Sequence, residues 1–221
     1  MELESTERDD VSSRRYHSEI RAESARETRH RILDAARGQL LERGYHGTSI
    51  AALADAAGVS PQTIYNAVGG KAQVLKAVYD VLLAGDEEPV AMKDRPEFLA
   101  VLAARTLPAA MRAYAHLGRR IAARIGDLLG MVLAEGAGPD AELRAFLDTI
   151  DGERRTGATL VARHLATRFG LPETLTEQRA ADHIWTVTAP EAYHRLARRR
   201  GWTLDEYEGW LANVLTAGLR T

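Results

Sequence analysis

The sequence predicts an all-α protein in two parts, a small N-terminal domain of three to four helices followed by a larger helical domain. Three observations predict it. Apolar residues recur at three- and four-residue spacing from Ile32 to Leu219, the period of a helical stripe that faces a core. No segment sustains the period-two alternation of a half-buried strand. Glycine and proline interrupt the periodic segments at helix-length intervals. With 221 residues, 45% of them hydrophobic, the chain can bury one small core and one of ordinary size.

Residues 1–25 are polar, with Glu2, Glu4, Glu7, Asp9 and Asp10 followed by Arg14, Arg15 and Arg21. They hold almost nothing to bury and are expected to be disordered or weakly helical. From Arg26 the pattern changes: Ile32, Leu33, Ala36, Leu40 and Leu41 build an apolar stripe, and Gly44 stands where a C-cap is needed. Thr48 is a suitable N-cap for a second helix with Ile50, Leu53, Ala54 and Ala57 inward. Gly58 ends that helix. Ser60 followed by Pro61 is an N-cap with proline at the first helical position, opening a third helix over 61–68. Gly69-Gly70 breaks it, and a fourth runs over 71–84 on Val74, Leu75, Val78 and Leu82.

Two short helices joined by a glycine turn cannot bury their apolar faces alone, so the first and fourth must cover them; the arrangement is a helix-turn-helix. Ala54 and Ala57 allow close approach. Ile64 and Val68, four apart, point inward on the third helix, which leaves Gln62, Thr63, Tyr65 and Asn66 on its other sides. Amides, hydroxyls and one aromatic suit the major groove, where base edges offer donors and acceptors and phosphates accept from hydroxyls.

The charged, proline-containing segment over 84–96 reads as a connection between domains. Beyond it helices are expected over 96–105, 108–117, 118–135, 139–169, 176–199 and 203–219, with stops at Gly170-Leu171-Pro172 and Gly201-Trp202.

The stretch from Thr28 to Leu83, carrying TRHRILDAA, LLERGYHGTS, AALADAAGVSPQTIY and the lysine of GGKAQVL, resembles the N-terminal domain of TetR-family transcriptional regulators. The resemblance implies a helix-turn-helix DNA-binding domain over 26–84 and a helical effector-binding and dimerisation domain over 85–221. It implies that the third helix enters the major groove. Thr48, Tyr65 and Lys71 would contact phosphates, and Gln62, Thr63 and Asn66 would meet bases. Pro61 would touch a thymine methyl, and Ser60 completes the candidate DNA-binding set. The basic half of residues 1–25 is then either a solvated tail or an arm along the DNA backbone. Two positions depart from the family pattern. Ala67 removes a phosphate contact, and Gly70 caps less well than serine or asparagine.

One helix-turn-helix covers one half-site, so specificity implies a homodimer on a palindromic double-stranded DNA operator, with recognition helices about 34 Å apart. The resemblance implies that the helices over 139–169 and 203–219 pair with their symmetry mates. The candidate interface is Leu160, Val161, His164 and Leu165 with Trp210, Leu211 and Val214; alternatively both stripes face their own core. It also implies a pocket for a small-molecule effector. Leu107, Met111, Tyr114, Ile125, Leu128, Trp185 and Thr188 are its candidates, with His116 and Arg124 as further polar groups. Methionine and aromatic stripes at helical spacing are equally the mark of a plain core. Effector binding would shift the population away from the DNA-binding state, and repression is the sign the family implies.

The net charge of −2 excludes a polycation that coats nucleic acid or membrane indiscriminately. Cysteine is absent, which removes disulfides and thiolate chemistry together. No apolar run reaches the ~20 residues of a membrane helix; no membrane partner and a cytoplasmic location are expected. A helical enzyme is the weaker alternative. GAGPDA at 136–141 has no preceding strand, GGKA at 69–72 lacks the rest of a phosphate loop, and His116, His164, His183 and His194 form no i, i+4 pair. No cofactor, metal site or catalytic residue is expected. A helical scaffold whose DNA-binding head is vestigial is the other alternative, kept open by Ala67 and Gly70.

Overall fold

A computed structural model describes residues 3–220, with side chains described from Ile20 onward. The expected arm over 1–25 therefore lies largely outside the residues whose side chains are described. All regular structure among the described residues is helical: α1 (Leu3–Arg43), α2 (Ile50–Ala57), α3 (Pro61–Ala67), α4 (Lys71–Ala84), α5 (Pro96–Ala103), α6 (Leu107–Gly136), α7 (Ala141–Phe169), α8 (Glu177–Val187), α9 (Pro190–Tyr193) and α10 (Leu204–Gly218). The chain forms two compact units, Met1–Val78 and Tyr79–Thr221. The division falls inside α4.

In the first unit the α1 stripe is narrower than the spacing suggests. Ile32, Leu33, Ala36 and Leu40 are buried, whereas Leu41 is 43% exposed. They meet Leu53, Ala54 and Ala57 of α2 and Ile64 of α3. Ser49, not Thr48, caps α2: its hydroxyl accepts from Ala52 N, while the Thr48 hydroxyl donates backward to Gly44 O at 2.8 Å. The extended backbone of an N-cap falls one residue later because residues 44–47 form a turn that draws Thr48 into the core. At the other end of α2, Gly58 takes φ 65° and its N–H reaches Ala54 O and Asp55 O. Ser60 accepts from Thr63 N, and Pro61 starts α3 without wasting a donor.

Three polar side chains of α1 tie the two short helices down. Gln39 Nε2 donates to Ala52 O at 2.9 Å, Arg31 Nη1 to Ala57 O at 3.4 Å and Arg29 Nη1 to Ala67 O at 3.0 Å. The two arginines meet the negative, carbonyl ends of α2 and α3, where cations are favoured.

The second unit corrects the expected elements in two places. The helices expected over 108–117 and 118–135 are one 30-residue helix, α6, which passes through Gly118. Glycine in a helix interior costs about 1 kcal/mol against alanine, but here it makes room: a Cβ on Gly118 would lie 2.9 Å from Leu211 Cδ2. The helix expected over 176–199 is broken at Pro190. Proline has no N–H to continue the ladder and forces its predecessor out of the helical region; Ala189 is extended, at ψ 138°. A six-residue π-turn over His194–Arg199 follows α9. Thr203 and Glu206 then form a capping box that starts α10. Between α4 and α5, Arg95 donates to both carboxylate oxygens of Asp86 at 2.7 and 2.9 Å and to Glu88 O at 3.3 Å, fixing the connection.

Replacing Gly58 by alanine forces a side chain into the left-handed region and should lower stability by roughly 1–2 kcal/mol. Gly38→Ala, in α1 with open space around it, should raise it by about 0.5–1 kcal/mol; chemical denaturation of the two variants measures both signs. The hydrogen bonds from Arg95 lower the Asp86 carboxyl to about 2. A folded-state value below the unfolded one stabilises above about pH 4, and that contribution is lost as pH falls through about 2. Thermal melting of Asp86→Asn should accordingly show less pH dependence than the parent across that window.

Candidate functional site

α3 is a seven-residue helix that commits one side chain, Ile64, wholly to the core. The next residue, Tyr65, is 53% exposed, and Pro61, Gln62 and Asn66 are exposed with it. Gln62 Nε2 donates to Asn66 Oδ1 at 3.0 Å, so the two amides, one turn apart, form a single donor–acceptor surface. Ser60 and Thr63 share a hydroxyl hydrogen bond of 2.8 Å at the start of the helix. Lys71, first residue of α4, holds its ammonium 4.1 Å from the centre of the buried Tyr45 ring, a cation–π contact that restrains the charge without removing it.

Seven of the eight expected DNA-binding residues thus lie on α3, its cap and the start of α4. Thr48 does not join them as a hydroxyl donor: it is 2% exposed and its hydroxyl is bonded to Gly44 O. Ser49, exposed at the start of α2, takes its place as the hydroxyl available there. The supporting Arg29, Arg31 and Gln39 were not legible as such, because polar residues beside an apolar stripe look like an ordinary solvated face.

The second unit encloses a cavity of about 450 Å3, within the range of small-molecule sites. Of the residues expected there, Tyr114, Ile125 and Thr188 line it. Met111 and Leu128 are instead sealed in the core, and Leu107 packs against it. Trp185 stands outside the cavity wall, where its Nε1 donates to Asp151 Oδ1 at 2.9 Å. His116 pairs with Glu208 at 3.1 Å, and Arg124 Nη2 donates to Leu83 O at 2.9 Å. Periodicity finds the inward face of a helix but not the gaps within the packing, so core and cavity residues read alike.

The cavity residues that sequence reasoning missed include Tyr79 and Leu83 of α4, Phe98 of α5, Arg154 of α7 and Tyr207 of α10. The room comes from α6, whose Gly118, Ala122 and Gly126 line the cavity one turn apart. A Cβ on Gly126 would collide with the Tyr193 ring. Burial pushes the Tyr114 and Tyr207 hydroxyls up to about 12 and raises Tyr79 likewise, so all three remain protonated donors.

The expected dimer residues divide. Val161, Leu165 and Leu211 are completely buried in their own core, so they cannot present a face to a second copy. Leu160 is 41% exposed, and His164, Trp210 and Val214 are half-buried.

The family model described as bacterial regulatory proteins, tetR family, matches residues 32–78. No curated protein matches this chain. Among solved structures, a protein described as a TetR-family transcriptional regulator from Syntrophomonas wolfei shares the fold with a TM-score of 0.69 and 16% identity, over 87% of this chain and 95% of that one. A Rhodococcus protein of the same description has a TM-score of 0.66 at 13% identity, covering 87% and 98%. FadR from Bacillus subtilis, solved in complex with stearoyl-CoA, has a TM-score of 0.66 at 17% identity, covering 86% and 98%. No helix among the described residues is long and apolar enough to cross a membrane. The helix-turn-helix of the first unit thus matches the tetR family in sequence over residues 32–78, and the all-helical fold of most of the chain is shared with solved structures described as TetR-family regulators.

Proposed function

We propose that the chain is a ligand-responsive, sequence-specific DNA-binding regulator that acts as a repressor and leaves its operator when a small molecule fills the cavity. The observation that carries this is the division of labour on α3: Ile64 is fully buried, while Gln62, Tyr65 and Asn66 stand exposed beside it. A helix used only for packing has no need of an exposed amide pair flanked by a tyrosine hydroxyl. In the complex, Gln62 and Asn66 read base edges, Tyr65 and Lys71 meet phosphates, and Thr63 contributes from the helix start.

The operator is palindromic, because two heads of a symmetric pair read two half-sites. Leu160, His164, Trp210 and Val214 remain the candidates for pairing. Effector control is supported by the apolar cavity and by the stearoyl-CoA in the FadR structure; the ligand bound there suggests an apolar effector here.

Fluorescence anisotropy on duplexes from the region upstream of the coding sequence tests the proposal. Binding should be sequence-selective and should weaken steeply as salt rises from about 50 to 200 mM. Gln62→Ala and Asn66→Ala should each erase about 1–3 kcal/mol of discrimination at one position of the half-site. Lys71→Ala should weaken all sequences alike and reduce the salt slope by about one. Equal affinity for every duplex, or none at all, would leave the scaffold alternative standing.

A further inference from the structure

The cavity wall is mostly apolar, and its least exposed charged side chain is that of Arg154. Arg154 lines the cavity while its side chain is only 19% exposed. Its Nη1 donates to Asp151 Oδ1 at 2.8 Å and its Nη2 to Trp185 O at 2.7 Å. A guanidinium has five N–H groups, so donors remain after these two bonds. The hydroxyls of Tyr114, Tyr193 and Tyr207, also on the wall, make no hydrogen bond to any described residue. The positive charge of Arg154 acts on Tyr114 and Tyr207 against the effect of burial, whereas at Tyr79 the negative Glu153 outweighs it.

A guanidinium with spare donors in a mostly apolar wall favours a charged, planar acceptor. We infer that the cavity takes an amphiphile with an apolar chain and a single carboxylate-class end, the anionic end held by Arg154 and the tyrosine hydroxyls. This rests on the effector function proposed above and supplies its ligand class. Lys93 and Glu153, the other charged residues of the wall, are exposed. Asp151 neutralises part of the Arg154 charge and is itself held by Trp185 Nε1. The cavity of about 450 Å3 is of small-molecule size, and a twelve-carbon chain serves as the probe.

Isothermal titration of the full-length protein with dodecanoate, dodecanol and dodecylammonium, each below its micelle-forming concentration, tests the assignment. Dodecanoate should bind at least about tenfold more tightly than dodecanol, the size of one charge-assisted hydrogen bond. Arg154→Met should bring that ratio close to one while keeping dodecanol binding, and Arg154→Lys should fall between. Dodecanol matching dodecanoate in the parent protein, dodecylammonium binding best, an unchanged ratio in Arg154→Met, or no binding of any of the three would overturn it. The parent comparison decides the matter even if the variants do not fold. The same titrations on the DNA complex separate the two claims. Binding of dodecanoate through Arg154 without release of DNA leaves the anion site standing and removes effector control. Equal release by dodecanol and dodecanoate does the reverse.

Discussion

A helix of seven residues does not persist in water by its own hydrogen bonds, so everything proposed for α3 depends on what holds it. Ile64 supplies the only fully buried side chain of the helix. The remaining restraint comes from its ends. Ser60 satisfies the first amides, and Arg29 satisfies the Ala67 carbonyl from α1. By fixing the helix at its anchor and its two ends, the fold leaves Gln62, Tyr65 and Asn66 free of structural duty. Arg31 and Gln39 do the same for α2, so side chains of α1 restrain both short helices. The polar residues of α1 therefore hold in place the helix proposed to read DNA.

The second unit solves a different packing problem. A long helix with large residues on every inward turn would fill its own core. Instead α6 presents Gly118, Ala122 and Gly126 at successive turns, and bulky partners come in over them: Leu211 over Gly118 and the Tyr193 ring over Gly126. Tyr193 then stacks edge-on against Tyr207, with ring centres 5.3 Å apart. The tyrosines reach the backbone of α6 at their ring edges but cannot fill the space beside it, because aromatic rings are rigid and flat. The cavity is the remainder, and its phenol hydroxyls are the polar ends of side chains that are there for packing.

Local chemistry made much of this legible before any coordinates. Gly58, Ser60 and Pro61 each have one backbone role, and each plays it at the expected position. Where the sequence misled, a distant partner decided the outcome. Gly118 looked like a stop because glycine usually is one, but Leu211, far along the chain, turns it into a clearance. Thr48 and Ser49 are both good caps, and only the turn that buries Thr48 chooses between them. Pro190 carries its own signal for a break, because it forces Ala189 out of the helical region. Arg154 carried no signal at all: an arginine in a charged helical run is expected to be solvated, and its burial depends on Asp151 and on the carbonyl of Trp185, 31 residues away.

An effector of the kind proposed acts only through a difference in its affinity for two states of the protein. α4 carries Lys71 of the proposed DNA-binding set and two residues of the cavity wall. It begins at Lys71 and continues without glycine or proline to Ala84, carrying Tyr79 and Leu83 on the cavity wall. Sharp bends in helices arise at proline, glycine or an inserted group, and none is present between Lys71 and Leu83. Tyr79 is buried, packed edge-on against Phe146 at 5.6 Å, and cannot yield to a ligand by swinging into solvent. A ligand in the cavity therefore meets, in Tyr79 and Leu83, side chains that a continuous helical segment holds in place.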